Sequence, residues 1–432
     1  MISAFTICAK NYLGLALVLK KSLLRAHPDW RFTIFIADEW DATSERSAFQ
    51  SAQDILVARE ALSEIIEDWD ARAFMYDITE FCTSIKPACF QYILDTDVPD
   101  AALYFDPDVL ITGTLNSVIE ALSTASIILT PHVCDIESDG SMGFSDERFL
   151  AAGAYNLGFI ALKNDRASLR LLSWWGRKLA TKCFQSRTEA LFTDQKWIDL
   201  IPAYFADSVT IVSDPGLNVA PWNLHERKVV WDSCVWKVEF NKGGSSSMHE
   251  LCFFHFSGFN YVAMLGGEIK HREFGAQRAP QELYRLCLTY AEMLKSSGFL
   301  QFIKLGYSYG RFSDGLPISN IHRRLYRRIY IEREESSCLD SPFNAEGWFR
   351  GILDRKGLTS AALANDDKTS ITARNHPQWP LTLLRWMLKG FFILAGARNY
   401  FKIIRLLRCI AILENHTFLL FPGRSSRLEL WT

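Results

Sequence analysis

The chain has 432 residues, of which 49% are apolar and 22% charged, enough for one large domain with an appendage or for roughly two to three domains. Net charge is −2 and the sequence pI is about 6.5, which excludes the basic field that nucleic-acid binding requires, so no nucleic acid is expected as a partner. Ten cysteines are scattered from Cys8 to Cys409 with no C-x-x-C pair or metal-ligand spacing, a usage that suits a reducing compartment and not a disulfide framework.

The amino terminus has no basic lead, and Lys10 breaks its apolar run. The sequence therefore predicts a strand over Phe5–Cys8, no signal peptide, and the cytoplasm as the location. Leu13–Leu24 carries apolar residues at helical spacing up to His27-Pro28, and Phe32–Ala37 is a second strand ending in Asp38-Glu39. Strand, helix, strand opens a parallel α/β sheet. Phe74–Leu94 reads as helical around Ile85-Lys86-Pro87, the proline near a helix start. The apolar run Ala101–Tyr104 follows, then Ile127–Thr130 as a buried strand.

Asp135–Phe144 is polar and glycine-bearing, the signature of a surface loop that moves. Tyr155–Leu162 reads as a strand whose internal Gly158 signals a bulge or the close approach of another group. Leu169–Leu179 and Thr193–Leu200 have helical patterns, Val209–Val212 is a short strand, and Lys242–Ser247 a flexible hairpin or loop. Leu251–Gly258 is a strand that delivers His255. Beyond Gly275 the alternation stops, and Leu283–Leu294 is a helix. The expected organisation is a catalytic domain over 1–275, a helical appendage over 276–360, a linker over 361–375 and a basic amphipathic tail over 376–432.

In that tail, Leu381–Leu394 and Ala397–Leu413 are rich in Leu, Ile, Phe and Trp, while Arg398, Lys402, Arg405 and Arg408 recur every three or four residues. On a helix this draws a basic stripe beside a broad apolar face. Arg385, Lys389 and Arg398 interrupt any run approaching the roughly 18 apolar residues of a spanning helix. Such a helix lies on a membrane surface; packing on the main domain or on a protein partner is the alternative.

The stretch Phe105-Asp106-Pro107-Asp108-Val109 carries the most chemistry. Two carboxylates one residue apart at the end of a strand offer hard oxygen ligands where open α/β sheets place their ligands. A divalent cation held there would bind a diphosphate, whereas an Asp-Pro-Asp turn in water is the bland alternative. Gly258, three residues after His255, lets bare N–H groups approach phosphate oxygens. Trp222, Asn223 and His225 are suited to an acceptor sugar, since aromatic faces match the apolar face of a pyranose; a buried structural Trp222 with a surface Arg227 is the alternative.

Six pieces occur in order: Ile7–Tyr12, Ile85–Pro87, Tyr104–Asp108, Tyr155–Gly158, Asp194-Gln195 and His255–Gly258. Over Phe5–Gly258 this order resembles nucleotide-sugar-dependent glycosyltransferases of the GT-A fold, nearest the retaining family 8 that includes glycogenin and bacterial lipopolysaccharide galactosyltransferases. The resemblance implies an α/β, Rossmann-like mixed sheet flanked by helices, with a mainly helical carboxyl-terminal extension. It implies that Asp106, Asp108 and His255 ligate Mn²⁺, or Mg²⁺, with Asp106 also touching the ribose. One imidazole among oxygens suits Mn²⁺ better.

The same resemblance assigns the nucleoside to Ala9, Asn11 and Tyr12, phosphate charge to Lys86, and sugar contact to Asn156. It sets Asp194 and Gln195 beside the anomeric carbon. The implied partners are a nucleoside-diphosphate sugar, with a UDP-sugar favoured, and a glycan, lipid-linked or protein acceptor. Two departures stand out: Lys10 occupies a position expected to be acidic, and Tyr261 stands where a phosphate-binding lysine is frequent, leaving Lys270 or His271 to substitute. An Asp-dependent phosphohydrolase acting through Asp106 and a non-catalytic sugar-binding scaffold are the competing readings.

Overall fold

The computed structural model describes residues 1–40, 54–135, 146–271, 281–332, 340–359 and 378–420. The surface loop expected after Asp135, the boundary at 275 and the linker at 361–375 lie outside them. Two compact units emerge: Met1–Trp69 with Ile78–Ser308, and Asp70–Asp77 with Tyr309–Thr432. Helix Gln281–Ser296, which the sequence reading assigned to an appendage, belongs to the first unit.

The first unit is built on a seven-stranded sheet. From edge to edge its strands are Val209–Ile211, Ile127–Leu129, Phe159–Lys163, Ala101–Phe105, Ile2–Cys8, Arg31–Ile36 and Ile55–Val57. Phe159–Lys163 runs antiparallel to both neighbours, and every other pairing is parallel. This is the expected mixed α/β sheet with helices packed on it. The central strands are apolar throughout because both of their faces are covered: Ala101–Phe105 is buried at every position.

Helix Leu13–Ala26 shows how the sheet is covered. Leu13, Ala16, Leu19 and Leu23, spaced by three or four, pack with Ile34, Leu103 and Phe159. Leu15 and Val18 face a second cluster with Phe254, Phe256 and Tyr290. Burying each such leucine stabilises the fold by about 1.5–3 kcal/mol. Gly14 is needed here, since a Cβ on it would lie 2.6 Å from the Cα of Phe299.

Several elements differ from expectation. The predicted helix over Phe74–Leu94 is broken into Trp69–Met75, Ile78–Ser84 and Lys86–Thr96. Tyr155 makes an isolated antiparallel bridge to Pro131, Leu157 and Gly158 form a turn, and the strand starts only at Phe159. Thr193–Leu200 holds only the single helical turn Gln195–Ile198. Of the two readings of Lys242–Ser247, the hairpin holds: it is the tip of one in a three-stranded antiparallel sheet, Arg227–Asp232, Val235–Lys242 and Ser245–Glu250. Its turn falls on Gly243 and Gly244, both at positive φ.

The described part of the second unit is mainly helical, with one isolated antiparallel bridge between Arg311 and Pro317. Helix Asn320–Glu332 buries Arg323, whose guanidinium donates to the carbonyls of Phe74 (2.9 Å) and Tyr309 (2.9 Å). Arg327 pairs with Glu414 at 2.8 Å, which fastens the turn Leu413–Leu419 to that helix. Gln378–Ile410 is helical up to and beyond Gly396, which breaks it at φ 74° and ψ 162°. The expected pair of tail helices meets at that residue.

Candidate functional site

The carboxyl ends of the parallel strands open into a cavity of about 840 Å³. Cys8, Ala9, Asn11 and Tyr12 line it from the first strand's end, Asp106–Asp108 from the fourth, and Asn156–Gly158 from the turn before the antiparallel strand. Lys86, Asp194, Gln195, Trp222, His255 and Gly258, also expected from the sequence, line it too. Asn223 and His225 are not among the lining residues. Asn223 is fully buried, and its amide donates to the carbonyls of His132 and Asn218, both at 3.0 Å, while accepting from the Ala220 N–H at 2.9 Å. With its polar atoms committed, it shapes the turn beside Trp222.

The acid pair and His255 meet because a short strand doubles back. After Asp108, Val109–Ile111 pairs antiparallel with Phe253–His255, setting Val109 opposite His255. His255 Nε2 is then 3.1 Å from Asp108 Oδ1 and 3.6 Å from Asp106 Oδ2. Ligand atoms of Asp106, Asp108 and His255 all lie within 4.8 Å of one another. Two hard oxygens and one imidazole nitrogen at that spacing could hold a divalent cation.

Gly158 makes room for the histidine. A Cβ there would lie 2.4 Å from His255 Cε1, so the signal read in the sequence as a close approach is answered by this ring. Trp222 packs edge-on against the ring at 5.2 Å. Burial opposes the charged imidazole, but Asp108 and Asp106 beside it hold the pKa above its ordinary value. Burial also pushes the carboxyls up; at Asp108 the histidine together with the Tyr261 hydroxyl and the backbone outweighs this and the pKa is lowered, whereas Asp106 stays raised despite Lys86 and His255.

Lys86 is almost wholly buried, and its ammonium is 2.5 Å from Asp194 Oδ2 and 2.9 Å from the Leu157 carbonyl. It also sits over the Tyr104 ring at 4.0 Å. A cation with three such partners is committed to holding Asp194, in contrast to the free phosphate-facing role implied by the resemblance. Asp194 Oδ1 accepts from the Thr193 hydroxyl at 3.1 Å. Gln195 accepts from the Leu157 N–H at 3.0 Å and donates to the Ala152 carbonyl at 2.9 Å, so its amide is spent on backbone.

Asn156 Oδ1 accepts from the Gly158 N–H (3.0 Å) and from Asn218 (3.1 Å), which orients its amide nitrogen towards His132 Nε2 at 3.2 Å. His132 lines the cavity and is missing from the sequence-derived set. Burial pushes its pKa down to about 4. Its one signal in the sequence is its position just past the strand end at Thr130. Asn11 Oδ1 and Trp222 Nε1 are buried in the cavity wall without a partner among the described residues. Such groups are open to a bound molecule.

Around Gly258, at φ 81°, the cavity continues into a second of about 560 Å³ lined by Phe259, Tyr261, Lys270 and His271. Lys270 pairs with Glu268 at 2.5 Å, and His271 contacts the Ser257 carbonyl at 2.9 Å. The ammonium of Lys10 turns to the Glu39 carbonyl (3.1 Å) and the Ser308 hydroxyl (2.9 Å).

No protein-family model matches the chain. Over 278 residues it is 27% identical to the uncharacterized protein YfnF of Bacillus subtilis (strain 168), spanning 62% of this chain and 85% of that protein. Among solved structures it is similar to the galactosyltransferase LgtC in complex with donor and acceptor sugar analogs, at 14% identity and TM-score 0.40, over 68% of this chain and 96% of that one. It is also similar to mouse xyloside xylosyltransferase 1, at 12% identity and TM-score 0.34, over 59% and 97%. A glycosyltransferase involved in glycosylation of the major capsid of PBCV-1 shows 10% identity and TM-score 0.33, over 60% and 94%.

Proposed function

We propose that the chain is a metal-dependent glycosyltransferase of the GT-A type. It moves a sugar, with retention, from a nucleoside-diphosphate sugar to a glycan, lipid-linked or protein acceptor in surface polysaccharide or glycoconjugate synthesis. The observation that carries this reading is the meeting of Asp106, Asp108 and His255 within 4.8 Å on the wall of a cavity large enough for a nucleotide sugar. Those three groups would hold a divalent cation, which would supply the Lewis acid that stabilises charge on a departing diphosphate.

The chain's own residues bind and orient. Gly258, free of a side chain and in a left-handed conformation, gives phosphate oxygens access to backbone N–H groups. Asn11, Ala9 and Tyr12 hold the nucleoside, Asn11 through its unpartnered carbonyl oxygen. Asn156 and Asp194 face the transferred sugar, Asp194 held in place by Lys86. Gln195 acts through the Leu157 backbone it grips. The face and indole N–H of Trp222 take the acceptor. In front-face attack the leaving oxygen receives the acceptor's proton, so the protein aligns the reactants instead of supplying a base.

A phosphohydrolase using Asp106 is disfavoured because the acid pair is followed by the buried strand Val109–Ile111, with no hydroxyl side chain there to assist. We further propose that Gln378–Ile410 rests on an anionic membrane surface from the cytoplasmic side. Trp386, Ile393 and Leu394 are 69%, 70% and 89% exposed, and no acidic residue occurs between Lys368 and Leu413. Among the described residues no helix is long and apolar enough to cross a membrane.

Hydrolysis of a panel of nucleotide sugars with Mn²⁺ and no acceptor tests the catalytic reading. Cleavage of one donor that stops with a chelator and in Asp108→Ala is expected. Phosphate release from a simple phosphomonoester instead, or no cleavage of any donor, would overturn it.

A further inference from the structure

Each carboxylate of the acid pair divides its oxygens between a buried tyrosine and the histidine. Asp106 accepts from the Tyr104 hydroxyl at 2.6 Å through Oδ1 and turns Oδ2 towards His255 Nε2 at 3.6 Å. Asp108 accepts from the Tyr261 hydroxyl at 2.9 Å through Oδ2 and turns Oδ1 towards the same nitrogen at 3.1 Å. A carboxylate gripped by one oxygen cannot swing freely, so its other oxygen stays aimed at one point. We propose that Tyr104 and Tyr261 are positioning residues that lock the acid pair so that one oxygen of each converges, with His255, on a divalent cation. The proposal rests on the metal-dependent reading above.

Tyr261 adds most to the argument, because it stands on a different element from the acid it holds. It opens the helical turn Tyr261–Leu265, capped by the Asn260 side chain accepting from the Ala263 N–H at 2.9 Å. Its ring is wedged edge-on between Tyr12 (6.2 Å) and Phe299 (5.9 Å), which leaves the hydroxyl little freedom. That hydroxyl lies 2.8 Å from the Phe256 carbonyl as well, so its single proton is shared between Asp108 and the residue next to His255. One buried group therefore sets the spacing between two of the three ligands.

A neutral hydroxyl at position 261 does different work from a lysine. A lysine there would repel the cation and attract phosphate, whereas a tyrosine donates to a ligand and brings no charge. Metal binding without nucleotide is the expected consequence. Tyr290 supplies a control: it stacks on Phe256 at 4.0 Å, is fully buried, and its hydroxyl has no partner among the described residues.

The test measures Mn²⁺ affinity of the full chain without donor, from the electron paramagnetic resonance signal of unbound Mn²⁺, alongside the melting temperature. Tyr261→Phe should weaken binding about 10-fold or more, the usual cost of losing an outer partner of a metal ligand, and Tyr290→Phe should leave it unchanged. Wild-type affinity in both Tyr261→Phe and Tyr104→Phe, with Asp108→Ala still abolishing binding, would overturn the positioning role and leave the metal site standing. Equal losses in Tyr261→Phe and Tyr290→Phe would also overturn it, as a packing effect. No binding by wild type would remove the metal reading and this inference together. If Tyr261→Phe fails to fold, Tyr104→Phe carries the same comparison.

Discussion

The strand-end cavity and the carboxyl-terminal helix both mix basic groups with aromatic rings, and they treat them in opposite ways. In the cavity, Lys86 meets Asp194 at 2.5 Å and His255 meets Asp108 at 3.1 Å, all four side chains largely out of water. Along Gln378–Ile410, exposed Trp386, Leu394 and Phe401 alternate with basic residues that have no acid in the same helix. Buried charge is tolerated only with a partner at short range, so each cavity residue has one position and a large penalty for leaving it. Exposed charge is screened, and its contributions are small and roughly additive.

The sharpest way to break this contrast is to unpair a buried charge. Lys86→Met should cost about 3–5 kcal/mol of stability, because Asp194 is left ionised without its cation. The double variant Lys86→Met/Asp194→Leu should recover most of that loss in a denaturant titration. If the single variant is as stable as wild type, the ion pair contributes nothing and the account of the cavity is wrong.

A pH titration probes the same burial more gently. His132 is neutral in the fold down to about pH 4, whereas in the unfolded chain it takes up a proton below its ordinary pKa of 6.5. The unfolded state then binds more protons, so stability is fully present above pH 6.5 and falls as the pH drops to 4, by about 3 kcal/mol. His132→Gln should remove that share of the slope. Parallel stability profiles for wild type and variant between those values would contradict the buried neutral ring.

The tail predicts the smallest effects. Arg398→Gln and Lys402→Gln should each weaken sedimentation with phosphatidylglycerol vesicles by about 1 kcal/mol, add together, and leave the melting temperature alone. Equal binding to zwitterionic and anionic vesicles would show that charge is not what holds the helix there.

How much of this was legible in the sequence follows from the same contrast. Buried parallel strands such as Ala101–Phe105 are continuous apolar runs, and they are easy to read. The extent of the hairpin strand Ser245–Glu250 was not: it is an exposed edge of serines and charges with no alternation, so hairpin and loop could not be told apart there. That Asp106, Asp108 and His255 come together was expected from their residue types and order, and the close approach at Gly158 from its place beside a strand. The commitment of Lys86 to Asp194 could not be seen, since 108 positions separate them. Asn223 was misread because an amide that closes a turn and one that meets a sugar look alike until the backbone is folded.

The central claim is that Asp106, Asp108 and His255 close on one cation beside a diphosphate. Anomalous diffraction from crystals soaked with Mn²⁺ and a nucleoside diphosphate measures this directly. The account predicts a single strong peak bonded to all three side chains and to phosphate oxygen. A peak elsewhere, or three side chains turned apart around a bound nucleotide, would contradict it.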